Sequence, residues 1–293
     1  MSEAARDSIL DRSQALSVAY SSPPLVEVAM SVQFEPPKGM NLGHFGAFWV
    51  TQKELLPSVR VANPIVAARE DFGEQTQWRP PRLRFALSSD PDCRLQMTSA
   101  DDQWVGQVQR DRLVVNWRKR TGKYPSFTAT WIRFQETWQS WEDFLSEFKF
   151  ASLRPWLWEL TYVNRIPRGT LWESPNDWPS VFPGLWGSDF AASSGIGLRG
   201  FQGQWVWAST NPVARLYLDV KPGQSSDELP QDTLILTLTA RGPIAVPENR
   251  AAGHDSSEAN SIEHGMNWGH DLIVSTFDRI SSELAKNTWG REC

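Results

Sequence analysis

Four groups of residues in this 293-residue chain have the types and spacing to do chemistry. The first is His270, followed by Asp271, with His264 one turn and a half earlier. Histidine titrates nearest neutral pH, so His270 with Asp271 could act as a general base. The plainer reading is a neutral core histidine hydrogen-bonded to a strand beneath it. His264 and His270 lack the i,i+4 spacing of a zinc helix, and no HExxH is present. The second group is the carboxylate pair Glu27 and Glu159, each four residues after a proline, in PPLVEVAMSVQF and PWLWELTYVNRI. Two carboxylates on one face could share a proton or flank a substrate, and together with His270 they would make an acid–base site. The plainer reading pairs each with a basic neighbour across a sheet, Arg165 for instance.

The third group is the basic run Arg110, Arg112, Arg118, Lys119, Arg120 and Lys123, opposed by Asp111 alone. It reads as a solvated hairpin edge. The sharper alternative is an anion site of Arg118, Arg120 and Lys123, helped by a helix that starts at Tyr124-Pro125-Ser126-Phe127. Ordinary capping by Ser126 accounts for the same turn. The fourth group is aromatic. Trp156, Trp172, Trp178 and Trp186, with Trp205 and Trp207, crowd the second half of the chain. They are expected to leave an exposed patch for a protein partner or a second copy, because Trp is enriched at interfaces.

Other chemistries find no support. Gly195, Gly197, Gly200 and Gly203 form neither a phosphate loop nor a dinucleotide fingerprint, and no GxSxG appears. Cys93 and Cys293 make no metal motif and no disulfide framework, which fits a reducing cytoplasm. No metal and no cofactor is expected. The net charge is -5, and residues 1–150 carry 18 charges of each sign, so the acidic surplus lies wholly in residues 151–293. A nucleic-acid binder normally shows a basic field, since its affinity is largely phosphate neutralisation. That function is confined to the 110–123 hairpin and one sheet face. No apolar run approaches the roughly 18 residues of a membrane helix. The start, MSEAARDSILDRSQAL, has no apolar core of a signal peptide, so the expected location is the cytoplasm, without membrane contact.

The elements that must position these groups follow from periodicity. Residues 1–20 read as a leader. Val26, Val28, Met30, Val32 and Phe34 alternate with Glu27, Ala29, Ser31 and Gln33, a strand with one buried face. A helix is expected over 41–56, then strands at 83–89, 93–100, 103–109 and 112–120 joined by short Asp-containing turns. Trp131, Phe134, Trp138, Trp141, Phe144 and Phe148 step at helical spacing behind Ser126. After Pro155 the order repeats. A strand comes first, then a short proline-broken segment at 170–183 and strands at 196–201, 204–210, 214–221 and 232–241. A helix from about 258 then carries Met266, His270, Ile273, Phe277, Ile280 and Leu284.

The expected fold is therefore α+β, with two β-α-β-β-β-β-α halves at 21–150 and 151–293, each an antiparallel sheet backed by helices. This duplicated order resembles the TATA-binding-protein-like fold, whose minor-groove binders use basic residues and Phe wedges on a concave face. Glu27 and Glu159 on that face would repel phosphate. PPLVEVAMSVQF, NWRKRTGKYPSF, LTYVNRI and HDLIVSTFDRISSELAKNTWG also resemble a sporadically distributed group of uncharacterised bacterial proteins. That resemblance implies a patchily inherited accessory protein, with defence or toxin–antitoxin settings among the possibilities, and implies no activity. The leading function is a non-enzymatic binding or regulatory module acting through protein contacts. Nucleic-acid binding and an enzyme built on His270 with Glu27 or Glu159 are the alternatives.

Overall fold

The computed structural model describes residues 18–68, 70, 72, 93–186, 200–225, 230–244 and 261–292. The fold class is α+β. In chain order the strands are β1 (Ala19–Tyr20), β2 (Leu25–Phe34), β3 (Ser58–Ala62), β4 (Arg94–Thr98), β5 (Trp104–Gln109) and β6 (Arg112–Arg118), then β7 (Pro155–Pro167), β8 (Gly203–Thr210), β9 (Val213–Gln224), β10 (Asp232–Pro243) and β11 (Arg291–Glu292). The α-helices are α1 (Leu42–Gln52), α2 (Phe127–Glu147), α3 (Trp178–Val181), α4 (Ile262–Ile280) and α5 (Glu283–Thr288).

Nine strands form one antiparallel sheet in the order β3-β4-β5-β6-β2-β7-β10-β9-β8. The two opening strands, β2 and β7, lie side by side at its centre. Ala29 faces Thr161 across that junction, and Glu27 and Glu159 stand two residues to either side of it, on opposite strands. The cross-strand neighbours repeat as well. Glu27 faces Arg118 on β6, and Glu159 faces Arg241 on β10. Pairing β2 with β7 satisfies backbone groups that two separate sheets would leave as exposed edges.

All the long helices lie on one face. The even positions of β2, Val28, Met30, Val32 and Phe34, are fully buried there. Phe34 meets Trp138 and Trp141 of α2, and Trp141 in turn meets Phe45 and Phe48 of α1. Burying each such large apolar side chain contributes on the order of 2 kcal/mol. Under α4 the contact is closer. Trp158 of β7 fills a groove made by Gly265 and Gly269, and a Cβ at Gly269 would come within 2.9 Å of the indole.

Several boundaries differ from the sequence expectation. The first helix ends at Gln52, and a strand the periodicity does not announce, β3, follows Pro57. Its exposed Val59 and Val61 give no buried face to read. The expected strand at 83–89 lies outside the described residues, as does most of that at 196–201. The last helix starts at its Ser261 cap and breaks at Ser281, so Leu284 belongs to α5 and is exposed. The end of the leader is a strand, with β1 paired to β11. Finally, β6 is no hairpin edge. It runs between β5 and β2 and is buried over most of its length.

Candidate functional site

The sheet divides the candidate residues between its two faces, and this decides what they can do together. Tyr162, on the helix-covered face of β7, is the link to α4. Its hydroxyl lies 2.9 Å from Nδ1 of His270, and the His270 ring stacks on Phe127 at 4.2 Å. Tyr124 extends the chain, with its hydroxyl 3.4 Å from that of Tyr162 and within reach of Thr130. Burial lowers the His270 pKa to about 4 and pushes the Tyr162 hydroxyl well above its usual range. At neutral pH the imidazole is uncharged, and the protonated Tyr162 hydroxyl can donate to Nδ1, which leaves the ring proton on Nε2.

A cavity of about 390 Å³ opens beside this chain, lined by His270, Tyr162, Tyr124, Asn164, Tyr20, Ser126 and apolar groups, and by no charged side chain among the described residues. Its size is that of a small-molecule pocket. Glu27 and Glu159 project from the other face of the sheet, so they do not converge with His270, and the combined acid–base site does not assemble. Asp271 is not among the residues that line the cavity, and burial raises its carboxyl pKa. His264 sits exposed in the first turn of α4.

On the helix-free face the side chains form a polar layer. In the second half it is an alternating ion network. Arg112 pairs with Glu159 at 3.5 Å, Glu159 with Arg241 at 2.8 Å, Arg241 with Glu70 at 2.6 Å, and Glu70 with Arg215 at 3.2 Å. The partners of Glu159 are therefore Arg112 and Arg241 rather than Arg165. Burial pulls the Arg241 guanidinium down, but Glu159 and Glu70 outweigh it and leave it above its ordinary value. Arg241 also lies 4.6 Å over the ring of Tyr217. Burial, then its hydrogen bond to Glu70, pushes the Tyr217 hydroxyl up to about 12.

Glu70 reaches this network because its segment crosses the sheet. After β3 the chain leaves the ladder and runs over the helix-free face, transverse to the strands. The Ile65 amide donates to Oε1 of Gln109 at 2.9 Å, and Nε2 of Gln109 donates back to the Ile65 carbonyl at 2.8 Å. The Ala68 amide donates to Oε1 of Gln33 at 3.0 Å, and Arg112 donates to the Val66 carbonyl. Phe72 lies over the Arg215 guanidinium. Gln33, Gln109 and Arg112 are buried by this cover. Buried amide side chains supply both a donor and an acceptor to a passing backbone, as a sheet edge does.

In the first half the layer is a chain of amides. Nε of Arg60 donates to Gln96, Gln96 to Gln107, Gln107 to Asn116, and Asn116 to the Glu27 carboxylate. Arg94 also donates to Gln107. Arg118 stands at the end of β6 on the same face. Burial, and then the charges of Arg60 and Arg118, holds the Arg94 guanidinium below its ordinary value.

The expected anion group is thus split. Arg118 belongs to the sheet face, Arg120 is paired with Asp102, and Lys123 is exposed in the loop before α2, whose Ser126 caps the helix through the Ala129 amide. The expected tryptophan patch also dissolves. Trp172 and Trp178 are buried against each other, Trp178 at 2% exposure, Trp186 packs on Phe201, and Trp156 is half-buried. Proline-broken turns bury these rings as well as a regular helix would. Among the tryptophans expected on the patch, Trp207 on β8 is exposed, at 43%.

Sequence reading missed Tyr162, Tyr124, Glu70, Arg215 and Arg241. The period of β7 could have placed Tyr162 with Trp158 and Leu160 on the helix side. Nothing local marks Glu70, whose role depends on where a loop crosses. Among the described residues, no three His, Cys, Asp or Glu side chains gather as a metal site would need, and no helix is long and apolar enough to cross a membrane. Comparison of the chain with protein-family models and with curated protein sequences returns no match.

Proposed function

We propose that this protein is a non-enzymatic binding or regulatory module that works through protein contacts, gripping an extended segment of a partner on the helix-free face of its sheet. One observation carries the reading. The face already holds a segment of its own chain through two side-chain bonds to the backbone at Ile65, one each at Val66 and Ala68, and a doubly paired carboxylate at Glu70. Extended peptides are commonly held this way, backbone bonds giving affinity and side-chain pockets giving choice. Matching Glu27 with Glu159 makes Ala29 equivalent to Thr161, and these two residues face each other at the β2–β7 junction, as a twofold between two copies of one half would place them, which supports duplication and so two related binding surfaces. The bacterial resemblance supports a setting in an accessory operon.

The test uses a variant in which residues 63–72 are replaced by a Gly/Ser linker, checked for folding by circular dichroism. A synthetic peptide of that stretch, added in trans, is expected to bind it with a micromolar Kd. The added changes Gln33→Ala and Gln109→Ala are expected to abolish the binding. A folded linker variant that takes up no peptide overturns the reading.

A further inference from the structure

We infer that Arg60, Arg94 and Arg118 form a receptor for an acidic side chain on a partner's extended segment, which rests on the peptide-gripping reading above. The inference begins with charge. On the second half of the helix-free face, Arg215 and Arg241 are matched by Glu70 and Glu159. On the first half, three guanidiniums share one carboxylate, Glu27. Even that carboxylate bonds to Asn116, and none of the three arginines lies within ion-pair distance of an acid among the described residues. Arg241 and Arg118 hold corresponding places, each facing the glutamate of its half across the ladder.

The site is built rather than incidental. Arg60 and Arg94 are held from below by Gln96 and Gln107, which are buried and bonded to each other at 2.8 Å. Nε of Arg94 is buried without an acceptor. Amide carbonyls orient guanidinium groups but leave their charge unneutralised, so a carboxylate placed among them gains charge-assisted bonds without displacing an internal acid. The amide chain also directs its donors towards Glu27, so that carboxylate is committed to Asn116 and pairs with none of the three arginines.

A peptide carboxylate is favoured over a nucleic-acid phosphate by what the same face does elsewhere. It binds a glutamate of an extended chain in its second half, and Glu27, Glu159 and Glu70 interrupt the long basic track that a phosphate backbone needs.

The experiment measures fluorescence anisotropy with the full chain and a fluorescein-labelled peptide of alternating Glu and Thr. The controls are its Gln-for-Glu counterpart and single-stranded and duplex DNA. The Glu peptide is expected to bind roughly ten-fold tighter than the Gln peptide, and the excess should vanish in Arg94→Gln/Arg118→Gln. Because Arg94 is partly buried, Arg60→Gln/Arg118→Gln, which leaves Arg94 in place and changes the exposed Arg60 instead, serves as the second variant and is expected to lose most of the excess. Equal binding of Glu and Gln peptides overturns the acidic receptor but leaves the gripping face standing. DNA that binds more tightly than the Glu peptide, with affinity falling steeply in salt, overturns it in favour of nucleic acid. If the strap peptide fails in trans as well, the whole reading falls.

Discussion

The two halves of the helix-free face place an arginine opposite a glutamate at corresponding positions, yet they resolve the charge differently. In the second half, Arg241 bridges Glu159 and Glu70 and is shielded by the crossing segment. In the first half, Arg118 has no such bridge, and Arg60 and Arg94 lean on neutral amides. The lesson concerns desolvation. A guanidinium covered by chain must bring its counter-charge with it, whereas one reachable by water can wait for a ligand. The half whose arginines are bridged to acids is structural, and the half whose glutamate is bonded to an amide instead is available.

The contrast should show most strongly on removing the bridging arginine. Arg241→Leu leaves Glu159 and Glu70 facing each other under cover and is expected to cost about 3 kcal/mol in urea unfolding. Arg118→Gln should cost less than about 1 kcal/mol. Equal costs would erase the distinction between the halves. The helix side offers a comparable test. Gly265→Ala drives a methyl into Trp158, and a loss of about 2 kcal/mol is expected because the core has no slack to receive it. Gly46→Ala in α1, where an added Cβ meets nothing within 4 Å, should be accepted without loss.

A pH measurement sharpens the comparison further. Beneath α4 lies the neutral His270, held at a pKa of about 4 by burial. The unfolded chain binds its proton near the usual 6.5, so the stability His270 contributes is complete above pH 6.5 and is lost as the pH falls towards 4. The loss is expected to be on the order of 3 kcal/mol. Hydrogen exchange should show α4 losing protection over that window while α2, packed on apolar residues, keeps it. His270→Phe should flatten the response, and an unchanged slope in that variant would remove His270 as its source. The smallest effect belongs to Arg120→Gln, which breaks an exposed pair with Asp102 and should change stability by less than about 0.5 kcal/mol.

Much of the frame was legible before the structure. The alternation in Leu25–Phe34 and Pro155–Pro167, and the aromatic stripe of α2, named their elements because a buried face imposes a period on the residues that fill it. β3 escaped because it buries neither face. The tryptophans of 172–186 were misplaced for a related reason. Irregular turns bury rings without any period, so the absence of a pattern there said nothing about exposure.

The fold class, the two opening strands with their matched glutamates, and the helical face on which His270 falls can all be read from the order of residues. Those are local properties, set by side-chain period and backbone propensity within one element. Only the tertiary structure decided that His270 and the glutamates stand on opposite sides of one sheet. The same holds for the crossing of Ile65, Val66 and Ala68 over that sheet and the meeting of Glu70 with Arg215 and Arg241. Such pairings join residues more than a hundred positions apart, and they form only where chain crossing and desolvation bring a charge under cover. No local pattern records that event.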